Sequence, residues 1–240
     1  MKLSVLVSAR KNSKYLARFL FGYLDKTAKR SDIEVLVMLN EGDTWNRDLV
    51  AYFDGLYNIK FFYEDKKLGR AGLHEYFNDL YEQSKGKWII YFCEDHLINT
   101  PNWDVKVRNL IINKNLSHND IWCIVPKFDN AGAMNHILSR AFIECMGGYL
   151  ARHGNLDSYI NDVCRELLDN RTIRMDDELF HDFTHDKPSP MSDAAMQGVV
   201  TEKAAAMPKY DNHEVTQMVI DDGEKLKRHL ELRNEHGLHS

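Results

Sequence analysis

Up to residue 93 the chain alternates short apolar runs with amphipathic stretches. The runs are LSVLVS (3–8), IEVLVML (33–39), IKFFY (59–63) and KWIIYFC (87–93). Between them lie KYLARFLFGYL (14–24), RDLVAYFDGL (47–56) and GLHEYFNDLYEQS (72–84). Leu16, Phe19, Leu20, Tyr23 and Leu24 recur at helical spacing, as do Leu73, Tyr76, Phe77 and Leu80. Continuous apolar runs of five to seven residues fit strands buried on both faces. Strands separated by helices pair in parallel through right-handed crossovers. The expected fold class is α/β, a Rossmann-like, mostly parallel central sheet flanked by helices.

The second half is less regular. NWDVKVRNLIIN (102–113) reads as a helix, and DIWCIVP (120–126) as a strand stopped by Pro126. LSRAFIECMGGYL (138–150) reads as a helix closed by Gly147-Gly148, and LDSYINDVCRELLD (156–169) as an amphipathic helix. From HDFTHDKPSP (181–190) onward the chain turns polar and loop-like, before a charged helix over 223–236. The expected organisation is one domain over 1–187 and a C-terminal loop and helix extension over 188–240.

With 44% hydrophobic and 28% charged residues, the chain can fill a core. A net charge of −5 gives no basic face for nucleic acid, and none is expected as a partner. Cys93, Cys123, Cys145 and Cys164 form no C-x-x-C pair, so a reduced, cytoplasmic setting is expected. No apolar stretch reaches the ~18 residues of a membrane span. Peripheral association with a membrane is left open.

In an open α/β sheet, ligands bind beyond the carboxyl ends of the strands. Three such ends are polar: Ser8 to Asn12, Asn40 to Asp43, and the triplet Glu94-Asp95-His96, which directly follows a buried strand. They are expected to converge on one crevice. His96 and His74 are isolated and read as structural. Trp88, Trp122, Tyr76 and Phe77 read as core; Trp103 fits either the core or a groove edge. A Gly-x-Gly-x-x-Gly turn after the first strand is absent, which argues against a dinucleotide oxidoreductase.

The order of these elements resembles a GT-A glycosyltransferase of the family-2 type over about residues 1 to 170. The resemblance rests on VSARKNSKYLARFL after strand one and LNEGD where that family has an acidic turn. It rests further on the spacing of Asn78, Ser84, Gly86, Trp88 and Ile89. Cys93-Glu94-Asp95 stands in place of Asp-x-Asp, and Gly147-Gly148-Tyr149 precedes Asp157. Three departures stand out: Cys93 for the first Asp, Asn40-Glu41 for the paired Asp, and Leu156-Asp157 for the polar pair before the catalytic helix.

The resemblance implies transfer of a sugar from a nucleotide-diphosphate sugar, UDP- or GDP-type, to a glycan or other hydroxyl acceptor, with inversion. A divalent ion, Mn²⁺ or Mg²⁺, would offset charge on the leaving diphosphate. Such ions are often held by one or two carboxylates, with phosphates and water completing the shell. Asp95 is the expected ligand, with Glu94 on ribose or a metal-bound water. His181 or His185 of HDFTHD would complete the set. Ser8, Arg10, Asn40 and Glu41 would hold base and ribose. Arg70, in LGRAG (68–72), would approach the pyrophosphate. Asp157 would be the general base, with Asp162 next in line. Capping of a turn or helix is the plain alternative for Glu94, Asp95 and Asp157. Two other functions stay open: a nucleotidyltransferase, although SARKNSKY lacks glycine, and a non-catalytic sugar-nucleotide or glycan-binding protein.

Overall fold

The computed structural model describes residues 2–9, 13–40, 44, 46–65, 72–128, 135–166, 171–182 and 213–235. Among the described residues eight strands form one sheet: β1 (Leu3–Ser8), β2 (Ile33–Asn40), β3 (Ile59–Glu64), β4 (Trp88–Cys93), β5 (His96–Ile98), β6 (Cys123–Phe128), β7 (Ile137–Ser139) and β8 (Thr172–Asp182). The helices are α1 (Ser13–Lys26), α2 (Arg47–Phe53), α3 (Leu73–Gln83), α4 (Trp103–Asn113), α5 (Arg140–Cys145), α6 (Leu156–Glu166) and α7 (His213–Glu235). The strand order is β3-β2-β1-β4-β7-β6-β8-β5. β1 pairs in parallel with β2 and β4, β2 with β3, and β6 with β8; β7 runs antiparallel to both β4 and β6, and β5 to β8. The expected mostly parallel α/β sheet is present.

Strand alternation splits the core between the two faces of the sheet. Val5, Val7, Ile90 and Phe92 face one layer with Phe19, Leu20, Trp103 and Phe180. Leu6, Ile89 and Tyr91 face the other with Phe77, Leu80, Phe142, Tyr159 and Val163. Trp103 is a core residue, fully buried, and its indole N–H donates to Thr27 Oγ1 at 2.9 Å.

The resemblance spacing around β4 has a steric cause. A Cβ on Gly86 would meet Ser4 Oγ at 2.3 Å and the Leu3 carbonyl carbon at 2.9 Å, so only glycine fits where the chain enters β4 beside β1. Asn78 on α3 reaches across to the segment after the glycine pair. Its Oδ1 accepts from Leu150 N at 2.7 Å and Ala151 N at 3.3 Å, and its Nδ2 donates to Ala151 O at 2.9 Å. Gly147 and Gly148 turn at φ 107° and 83°, a region other side chains resist.

Several boundaries differ from the sequence reading. β6 passes through Pro126 instead of stopping there; the pairing with β8 shifts register between Val125 and Lys127. A bulge is where a residue without an N–H is tolerated in a sheet. The expected 138–150 helix is shorter, because Leu138 belongs to β7 and Ser139 caps α5 by accepting from Phe142 N at 3.3 Å. β5 and β8 were not anticipated as strands, and His181 and Asp182 lie in β8. The final helix begins at His213, ten residues before the reading from charge placed it.

Candidate active site

The carboxyl ends of β1, β2 and β4 meet. Ser8 pairs with Met38 on one side and Cys93 on the other. Ala9 N donates to Met38 O at 3.0 Å, and Glu94 N donates to Ser8 O at 3.2 Å. Ser8 is buried, whereas Asn40, Cys93, Glu94 and Asp95 are half-buried at the sheet edge. Tyr76 on α3 donates its hydroxyl to Asn40 Oδ1 at 2.9 Å, which fixes the amide at the end of β2.

Glu94 and Asp95 occupy the turn between β4 and β5. His96 then enters β5, buried, with its Nδ1 accepting from Cys93 N at 3.2 Å. That bond places the ring proton of the neutral imidazole on Nε2. His96 closes the turn that carries the two carboxylates. In the β5–β8 pairing Leu97 lies opposite His181, and His96 opposite Asp182. The backbone of β8 therefore runs beside the Glu94-Asp95 turn. Arg10, Glu41, Arg70 and His185 lie outside the described residues, and of His181 only the backbone position is described.

Asp157 stands in the first turn of α6. Its Oδ1 accepts from the Tyr91 hydroxyl at 2.7 Å and from Asn135 N at 3.3 Å. The Asn135 side chain donates to Tyr91 O at 2.7 Å, and its Nδ2 lies 3.2 Å from His96 Nδ1. One residue, Asn135, thus touches both Asp157 and the imidazole that follows Asp95. Asn135 takes φ 54°, a left-handed conformation that asparagine tolerates better than most residues. Behind it, Tyr91 Oη lies 2.9 Å from His136 Nδ1, and His136 Nε2 lies 3.0 Å from Asn161 Oδ1. Burial pushes the Tyr91 phenol well above its usual range, reinforced by the Asp157 charge. Burial lowers the His136 imidazole, against the pull of Asp157. Asp162, the second choice for the base, is instead paired with Arg165 one turn on.

Asn135, His136, Tyr91 and Asn161 were missed by sequence reasoning. One signal was available for Tyr91: a phenol inside a buried strand needs a hydrogen-bond partner. Asn135 and His136 had none, since they lie some twenty residues before the α6 side chains that they contact, and Asn161 reads as one more polar position of an amphipathic helix.

A mostly parallel sheet in this order, with the polar ends of β1, β2 and β4 side by side, has the GT-A fold. Comparison with solved structures agrees. The S. aureus TarS 1–349 structure in complex with UDP-GlcNAc matches with a TM-score of 0.58 at 15% identity, over 94% of this chain and 72% of that one. The mannosyltransferase PcManGT from Pyrobaculum calidifontis, in complex with GDP-Man and Mn²⁺, matches with a TM-score of 0.60 at 13% identity, over 75% of this chain and 56% of that one. The match to a longer S. aureus TarS structure, TM-score 0.59 at 16% identity, spans only 36% of that chain. No protein-family profile and no curated protein sequence matches the chain. Among the described residues, no helix is long and apolar enough to cross a membrane.

Proposed function

We propose that this chain is a metal-dependent glycosyltransferase that moves a sugar from a nucleotide-diphosphate sugar to an acceptor hydroxyl, with inversion. The supporting observation is the bridge made by Asn135. It puts a partly exposed carboxylate, Asp157, and the Glu94-Asp95 turn on either side of one residue, at the strand ends where this fold class takes its ligand. The structural neighbours solved with UDP-GlcNAc and with GDP-Man and Mn²⁺ support a nucleotide-sugar donor and a divalent ion.

In this reading Ser8 and Asn40, with Arg10 and Glu41, receive the base and ribose, and Arg70 approaches the pyrophosphate. Among the described residues no cluster of three or more His, Cys, Asp or Glu could hold a metal alone. The adjacent carboxylates of Glu94 and Asp95 suit Mn²⁺ or Mg²⁺, hard cations often held by one or two carboxylates together with substrate phosphates. Asp95 would hold the ion, Glu94 would take a ribose hydroxyl or a bound water, and His181 or His185 would add a ligand. When bound, the ion offsets negative charge on the departing diphosphate. Asp157 removes the acceptor proton as the hydroxyl oxygen attacks the anomeric carbon.

The test is calorimetric titration of UDP, GDP, CDP and dTDP, each with Mn²⁺ and then with EDTA. Metal-dependent binding of one nucleotide is expected and selects the donor for turnover assays. Binding of none would reduce Glu94-Asp95 to a structural turn. Binding without turnover of any sugar donor would favour a non-catalytic sugar-nucleotide-binding protein, a reading motivated by Cys93 in the first Asp position.

A further inference from the structure

The hydrogen-bond chain behind Asp157 has a direction that proton counting fixes. Tyr91 has one O–H and two polar neighbours, Asp157 Oδ1 at 2.7 Å and His136 Nδ1 at 2.9 Å. An ionised carboxylate only accepts. The Tyr91 proton therefore goes to Asp157, and His136 must present an N–H at Nδ1 to the phenol oxygen. Burial disfavours a second proton on His136, so Nε2 accepts. Asn161, 3.0 Å away, then turns its NH₂ toward the ring, its amide oxygen and nitrogen exchanging places. Neutral imidazole in water favours Nε2–H, so an Nδ1–H tautomer here is a signature of the chain's direction.

We propose that Tyr91, oriented by His136, is a positioning residue that pins Oδ1 of Asp157 and leaves Oδ2 as the oxygen that takes the acceptor's proton. Asn135 N, at 3.3 Å, is the second donor to Oδ1. The Asp157 side chain is 27% exposed while His136 is fully buried, so the hydrogen-bond chain runs from a partly exposed carboxylate into the core. Among the described residues Oδ2 has no hydrogen bond. The proposal rests on the reading of Asp157 as the general base. In the step it serves, the acceptor oxygen bonds to the anomeric carbon. The carbon–oxygen bond to the diphosphate breaks with its electron pair on the phosphate, and the acceptor proton passes to Oδ2. Tyr91 and His136 keep their protons throughout.

Two measurements test it. The first is nitrogen NMR of the full chain labelled at histidine, which needs no variant. A protonated Nδ1 on His136 is expected; an unprotonated Nδ1 overturns the proposal, because the Tyr91 hydroxyl would then donate to His136 and not to Asp157. The second is release of nucleoside diphosphate from UDP-GlcNAc or GDP-mannose by Tyr91→Phe, with sites counted by UDP or GDP titration. We expect kcat per binding site to fall on the order of tenfold to a hundredfold, the worth of one hydrogen bond to a charged group, with unchanged nucleotide Kd. A merely structural role would lower the number of binding sites and leave kcat per site intact, which refutes positioning. Asp157→Asn separates the two readings. If it abolishes release while Tyr91→Phe keeps full kcat, the positioning role fails and the base stands. If Asp157→Asn keeps full activity, the base reading fails and takes this role with it.

Discussion

Replacing Asn78 with alanine removes the tie between α3 and the segment leading to α6. Three hydrogen bonds go: two from the Leu150 and Ala151 amides to Oδ1 and one from Nδ2 to the Ala151 carbonyl. Leu150 and Ala151 are both fully buried, so water does not readily replace the lost partner. An unsatisfied buried backbone group costs about 1–3 kcal/mol. Three such groups, with some relaxation, give a loss of about 3 kcal/mol. For a chain of this size that lowers Tm by about 6–12 °C. Asn78→Asp is the internal control. It keeps an acceptor for the two amides but sets a carboxylate oxygen against the Ala151 carbonyl, so its Tm should fall between the other two. Calorimetric melting of the three proteins reads the order. Nucleotide binding should persist in both variants, because β1, β2 and β4 are untouched, while turnover falls with the loosened start of α6. A Tm for Asn78→Ala within about 2 °C of wild type would refute the claim that this residue anchors the loop.

Asp95→Asn should abolish the Mn²⁺-dependent part of nucleotide binding with the fold intact; unchanged affinity in the calorimeter would remove the metal assignment. Asp157→Asn should spare nucleotide binding and cut transfer by about 10²–10⁴-fold, as loss of a general base does; near-normal turnover would move the base elsewhere. His136 contributes a pH dependence with a definite sign. Burial holds its folded-state value below the ordinary 6.5, so the unfolded chain binds the proton more readily. Stability is therefore unaffected above pH 6.5 and declines as pH falls below it, by at most about 1.4 kcal/mol per pH unit. Urea midpoints for wild type and His136→Asn across that range should show the shallower slope in the variant; equal slopes would contradict a neutral buried imidazole.

The first half of the fold was legible because its period is local. β1 to β4 and the helices between them are written as apolar runs and helical stripes within single segments. Likewise Glu94 and Asp95 stand out as candidates because they follow a buried strand with no spacer. Beyond residue 95 the information becomes non-local. β5 is only three residues long and begins with a buried His96, whose partners are Cys93 N and Asn135. β8 carries charged residues, and only its last two, His181 and Asp182, fall in the stretch that reads as loop; yet it pairs β6 on one side and β5 on the other. Pro126 is a stop signal in most strands, but the bulge beside it removes the need for its missing N–H. The candidate site divides the same way. Asp157 stands out in the sequence by its place after Gly147-Gly148-Tyr149, whereas the residues that contact its carboxylate arrive from β4 and from the segment before β7.

The position of Asp157 is set from three sides. From α3, Asn78 holds the Leu150-Ala151 backbone. From the sheet, Tyr91 and Asn135 hold the carboxylate itself. From the C-terminal helix, Asp222 is fully buried and accepts from Tyr149, which follows the glycine pair, at 2.8 Å, and from Tyr159 on α6. Lys225 donates to the same carboxylate at 2.9 Å, so the buried charge is paired and hydrogen-bonded. Burying a carboxylate is costly when simple packing of α7 on α6 would serve stability as well. What Asp222 adds is direction: it joins Tyr149 and Tyr159, one before and one just after Asp157 in the chain, to one point on α7. A general base needs its oxygen held to a fraction of an ångström, and loops alone do not provide that. Under the proposed role of Asp157 as general base, the three attachments hold the start of α6 as proton transfer would require.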